Sequence, residues 1–171
     1  RKSNYPKELF RKYNQLRSKK VQIDNLKIEK KFSKEIRRLS KYELKLIGVA
    51  LHWAEGNKTQ SNRVQFVNSD SNMAALYLRF LREILQIPDE KMTVSIMVHP
   101  NINTNTVIKF WSKVVNLPRE RFHIVRQISR ASQRKRPFNS LPYGTLDVRF
   151  SGRQKFYQIR GWIDGLIKQN I

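Results

Sequence analysis

The hydrophobic positions of this chain change period several times, and each change marks an element. Residues 47–56 read IGVALHWAEG, apolar or small at nearly every position. Ser40 followed by Glu43 supplies a capping-box start, and Leu44, Ile47, Leu51 and Ala54 recur at helical spacing. Leu46, Val49, Ala50 and Trp53 fill most of the remaining faces, so the pattern predicts a helix that must be covered all round. Gly48, Ala50, Ala54 and Gly56 are small enough for a second helix to approach backbone to backbone. A glycine inside a helix costs about 1 kcal/mol relative to alanine, which close helix packing would offset.

Upstream, Leu9, Phe10, Tyr13 and Leu16 keep one helical stripe and Phe32, Ile36 and Leu39 keep another, predicting two helices joined near residues 18–25. Downstream, residues 57–62 suit a turn or a short first strand carrying Lys58, and residues 63–68 alternate as a strand that lays Arg63 and Gln65 on one face. Residues 69–72 offer N-cap chemistry for a helix over 73–85 with a broad apolar face. Met92, Val94, Ile96 and Val98 then alternate with their neighbours in a strand over 91–99. A helix follows to Val115, ended by Pro118, with a strand over 122–128. Pro142, Tyr143 and Gly144 turn into a strand over 145–151, and an amphipathic helix over 153–168 turns Phe156, Ile159, Trp162, Ile163 and Leu166 inward. This order predicts an α+β domain over residues 40–171 with a largely antiparallel sheet, preceded by a basic helical arm over residues 1–39.

Charge adds a partner to this outline. The 171 residues carry 35 Lys and Arg against 13 Asp and Glu, a formal charge of +22. Such an excess is the footprint of a polyanion, because each phosphate neutralised releases counterions that drive association. No apolar run approaches the roughly 18 residues of a spanning helix, so no membrane partner is expected. With no cysteine, thiol chemistry and disulfides are excluded. The stretch 129–139 reads SRASQRKRPFN, and Arg130, Arg134, Lys135 and Arg136, with Arg126 just before, predict a phosphate-contacting loop between strands. Three histidines lie far apart without ligand spacing, and neither a phosphate loop nor a nucleophile elbow is present.

Read from Gly48, the stretch GVALHWAEG resembles the LAGLIDADG motif, keeping Leu51, Ala54, the acidic position at Glu55 and the terminal Gly56. The text RVQFVNSDSNMAALYLRFLREILQIPDEKMTVSIMVHP, with LPYGTLDVRFSG and IRGWIDGLI, is similar to single-motif LAGLIDADG-like proteins of bacteria and archaea over about residues 40–168. The resemblance implies a homing-endonuclease-like saddle, in which a curved sheet lays duplex DNA on its open face. It implies a homodimer, since one motif per chain gives one carboxylate per half-site, with Gly48, Ala50, Leu51, Ala54 and Gly56 at the helix pair. It implies Glu55 as the ligand of Mg²⁺ or Mn²⁺ for phosphodiester hydrolysis at a near-palindromic site, helped by Lys58 and Arg149. Lys58, Arg63, Gln65, Arg126, Arg130, Arg134, Lys135, Arg136 and Arg149 would contact DNA, with Gln65 suited to adenine.

An enzyme of this type is expected in the cytoplasm, on the nucleoid in a prokaryote. Relatives of this type often carry a helix-turn-helix upstream, so such a reader is expected ahead of Arg1. The helix around 105–115 is an addition to the family's αββαββα half, Trp53 stands where the motif has its first aspartate, and Asp164 reads as an exposed helix residue. Two other functions fit the same features. A DNA-binding regulator would keep the fold without cleavage, and an intron RNA maturase would use the basic surface and aromatic residues on unpaired bases.

Overall fold

The computed structural model describes residues 5–59, 62–126 and 141–171. The chain divides into two compact units, Arg1–Leu39 and Ser40–Ile171.

The first unit is built on one helix, α1 (Tyr5–Ser33). The expected break near residues 18–25 does not occur, because SKKVQIDN contains neither proline nor glycine and Asp24 pairs with Lys27 across one turn at 3.3 Å. Its apolar side chains fall on two separate faces and stay exposed, Leu9, Phe10, Tyr13, Leu16, Ile23 and Leu26 all above half. No described helix is long and apolar enough to cross a membrane.

The second unit is α+β. It contains α2 (Lys41–Glu55), β1 (Arg63–Asn68), α3 (Ser71–Glu83), β2 (Thr93–Val98), α4 (Thr104–Val115), β3 (Phe122–Arg126), β4 (Thr145–Ser151) and α5 (Arg153–Asn170). The capping box predicted at Ser40 is present: Ser40 Oγ accepts from the Glu43 amide at 3.2 Å and Glu43 accepts from the Ser40 amide at 2.7 Å. These bonds from Ser40 lower the Glu43 pKa. Asp70 caps α3 by accepting from the Asn72 and Met73 amides, and Asn103 caps α4 through the Thr106 amide.

The sheet order is β1-β4-β2-β3. β4 pairs antiparallel with β1 and with β2, whereas β2 and β3 are parallel, so the sheet is mixed. The parallel pair follows from α4, which crosses over between two strands that a hairpin could not join in that sense.

One connector is used twice, thirty residues apart. Leu85-Gln86-Ile87-Pro88 leads out of α3 and Val115-Asn116-Leu117-Pro118 out of α4. Gln86 and Asn116 are both left-handed, at φ 54° and 52°, and each proline opens one turn of 3-10 helix before its strand. The two copies are stitched together by arginine. Arg82 forks onto Asp89 at 2.7 and 3.2 Å and donates to the Val115 carbonyl, while Arg121 donates to the carbonyls of Asp89 and Met92 at 2.7 Å each. These two cations therefore hold the fold.

Alternation along the strands sends Val64, Phe66, Val94, Ile96, Val98, Leu146, Val148 and Phe150 to one face, where the helices bury them. Tyr77 stacks on Phe66 with ring centroids 4.0 Å apart and Phe80 lies beside it. Of the residues expected inward on α5, Phe156 and Ile159 are buried, and Trp162, Ile163 and Leu166 are half-buried. Trp162 meets Phe80 edge-on at 6.4 Å, and Lys45 of α2 sits 5.5 Å over its ring.

Candidate nucleic-acid interface

The candidate residues begin where α2 ends. α2 is covered on one side only: Leu44, Gly48, Val49 and His52 are buried, while Ala50, Trp53, Ala54 and Glu55 are exposed and Leu46, Ile47 and Leu51 are half-buried. Gly48 explains itself within the chain. A Cβ there would come within 2.7 Å of the Phe80 Cβ and nearer still to its ring, so the close partner of this glycine is α3. Gly48 therefore leaves the set of residues expected at a helix pair between two chains. The outward positions of that set are Ala50 and Ala54.

His52 fixes the end of the helix. Its Nδ1 is 2.8 Å from the Tyr77 hydroxyl, and both groups are buried. Burial, with Lys58 adding like charge, pushes the His52 pKa down to about 4, and burial raises that of Tyr77. Near neutral pH the pair is thus an imidazole and a phenol sharing one proton between their facing atoms. A Cβ on residue 56 would overlap the Nδ1 side of the His52 ring, so glycine at this position is what lets the histidine close the helix.

Past Gly56 the chain turns along the edge of the sheet. The Asn57 amide donates to the Gln65 carbonyl at 3.0 Å and Gly56 bridges Phe66, so residues 56 and 57 extend the sheet beyond β1. Glu55, the last residue of α2, thus stands one residue before the point where the chain joins the sheet edge. Glu55 is exposed and, among the described residues, takes part in no ion pair. Its position in the last turn is the unfavourable end for an acid, since the helix carbonyls already concentrate negative potential there. A cation would relieve both.

The open face itself is polar. Register places Gln65 beside Arg149 and Arg149 beside Thr93; the next row runs Val67, Asp147, Ser95, His123. Asp147 is buried at its centre, with 10% of its side chain exposed, and Arg149 Nη1 lies 3.8 Å from Oδ2. Gln65 Nε2 donates to Asp147 Oδ1 at 2.9 Å, and Asn57 Nδ2 donates to Gln65 Oε1 at 3.4 Å.

The expected contact residues divide accordingly. Arg63, Gln65 and Arg149 share the open face. Lys58 is exposed, and its charge adds to the burial that lowers the His52 pKa. Arg126 pairs with Val98 in register and has the parity of Phe122 and Ile124, the helix-facing side, so it stands off the open face although exposed. Arg130, Arg134, Lys135 and Arg136 lie outside the described residues. The C-terminal anchor of that segment is described: Trp111 donates to the Tyr143 carbonyl at 2.8 Å, Tyr143 stacks on Phe110 at 3.8 Å, and Gly144 takes φ +67° where it abuts Met97 and Val98. Asp164 is exposed on α5.

Three members were missed in the sequence. In the sequence Asp147 is one polar position of an alternating strand, Asn57 opens a stretch that suits a turn, and nothing sets Tyr77 apart within the helix over 73–85. The parity of Asp147 was legible, but its meeting with Gln65 depends on the pairing of strands 82 positions apart.

As to metal, among the described residues no three acidic or imidazole groups converge. Glu55 offers one hard oxygen donor, and Mg²⁺ commonly takes one or two carboxylates with water and substrate phosphates completing its shell. The residues present fit that partial role. No family model matches this chain, and neither a curated protein nor a solved structure does so.

Proposed function

We propose that this chain is a site-specific double-stranded DNA endonuclease of homing type, acting as a homodimer with a LAGLIDADG-like saddle. The observation that carries the reading is the outward side of α2, where Leu46, Ile47, Ala50, Trp53 and Ala54 make an apolar strip, with Glu55 exposed in the same last turn of the helix. Paired with its copy, this strip would bury Ala50 and Ala54 at the closest approach and bring two carboxylates together, one per half-site. The open sheet face, with Arg63, Gln65 and Arg149, would lie along the major groove, and its cations would hold phosphates.

Glu55 from each copy would hold Mg²⁺ or Mn²⁺, which when bound supplies a Lewis acid at the scissile phosphate and an activated water. Arg149 and Lys58 would offset phosphate charge, and His52 with Tyr77 would keep the carboxylate-bearing turn in place. The charge of +22 supports a duplex partner in general terms.

The test is cleavage of a randomised duplex library with Mg²⁺ or Mn²⁺ against chelator, for this chain and Glu55→Gln. Metal-dependent cuts at an enriched near-palindromic site, lost in Glu55→Gln while binding persists, are the expected result. Enrichment of bound duplex without cleavage under either metal would overturn the enzyme and leave a DNA-binding regulator. One observation favours that second reading: a tryptophan, 41% exposed, occupies the place of the motif's first aspartate at the helix pair. Preference for structured intron RNA over duplex would point instead to a maturase.

A further inference from the structure

Gln65 is held on both sides. A carboxylate only accepts hydrogen bonds, so the Gln65 atom 2.9 Å from Asp147 Oδ1 is the amide nitrogen, and the assignment of its two ends does not rest on shape alone. Its oxygen then faces Asn57 Nδ2 at 3.4 Å. Flipping the amide would set oxygen against oxygen on one side and NH₂ against NH₂ on the other. Asp147 is itself anchored, buried in the middle of the sheet with Arg149 along its second oxygen.

We propose that Asp147 is a positioning residue that fixes the Gln65 amide in one orientation, so that this side chain reads adenine. An amide has two N–H groups and two oxygen lone pairs. With one of each taken by Asp147 and Asn57, one N–H and one lone pair remain, and base reading uses them together on the amide edge turned away from the side-chain stem. That edge matches the major-groove edge of adenine, which offers N7 as acceptor and the N6 amino group as donor; guanine offers two acceptors. A free glutamine can present its donor and acceptor in either order and so tolerates more than one base. The locked one selects. This inference rests on the proposal that duplex DNA lies on the open face.

The experiment is selection of bound duplexes from a randomised library, without metal so that binding alone is read. It compares the full chain with Gln65→Ala, Asp147→Asn and Asn57→Asp. The full chain is expected to enrich A·T at one position of each half-site. Gln65→Ala loses that preference and keeps the others. Asp147→Asn, whose side chain can also donate, relaxes the same position by on the order of tenfold. Asn57→Asp puts acceptors on both sides of the amide and gives the same single-position relaxation; it carries the test if Asp147→Asn does not fold. A merely structural role would move melting and overall affinity but not one base. Unchanged A·T preference in folded Asp147→Asn or Asn57→Asp overturns the inference while the DNA reading stands. Failure of the full chain to enrich any duplex overturns both.

Discussion

The two sides of α2 are written in the same residues and do opposite things. Inward, Gly48 and His52 are held by Phe80, Tyr77 and Gly56, and a single added carbon at position 48 meets a ring. Outward, Ala50 and Ala54 stand in the open beside Trp53, and none of the strip is fully covered by its own unit. A small residue thus means close packing on one side and, on the other, room for a partner. The difference teaches that size along a helix records distance to a neighbour without saying whether that neighbour belongs to the same chain.

The largest effect is expected on the inward side. Gly48→Val drives branched carbons into the Phe80 ring, which is fixed by Tyr77 and Trp162, and should cost about 3 kcal/mol or more, beyond what helix propensity returns. Chemical denaturation of the variant would show it; an unchanged midpoint would mean that α2 and α3 do not pack this way.

Acid is the next largest probe. The folded pKa of His52 is depressed to about 4 from an unfolded value near 6.5, so the neutral ring contributes its full stability above pH 6.5 and loses it as pH falls through 4. The contribution is on the order of 3 kcal/mol. Denaturant midpoints measured between pH 7 and 4 should fall, and His52→Asn should flatten that limb. Tyr77→Phe is milder, leaving a buried imidazole nitrogen without its partner at about 2 kcal/mol, with Phe66 stacking kept.

These contrasts also mark what could be read in the sequence. The capping box at Ser40, the strand over residues 145–151 and the helix after Asp70 were legible, because caps and period-two alternation are local signals. The facing of α2 was not, since a helix apolar all round has no polar side to orient it, and the small size of Gly48 predicts a close helix without saying that this helix is α3 of the same chain. The change of face of the apolar stripes in α1 predicts a break that the helix does not make, since no residue there stops it. The doubled connector does not stand out as a repeat in the sequence, because its likeness lies in the left-handed Gln86 and Asn116 rather than in identical residues. The Gln65–Asp147 lock needed strand register, which alternation within one strand does not contain.

The smallest effect on folding should accompany the clearest effect on assembly. Ala54→Glu adds a carboxylate at an exposed helical position, and away from any buried contact such a change stays within about 0.5 kcal/mol. If the outward strip of α2 pairs with a second copy, two such carboxylates meet where two alanines would touch, next to the Glu55 pair. Sedimentation should then show a dimer for the parent chain and a monomer for the variant. Salt sharpens the measurement, because two chains of charge +22 repel, and screening strengthens their association while weakening any hold on DNA. A parent chain that stays monomeric at high salt and on duplex DNA would remove the strip from the assembly. Glu55 would then stand alone, one carboxylate for one strand, and hydrolysis of both strands would lose its symmetric basis.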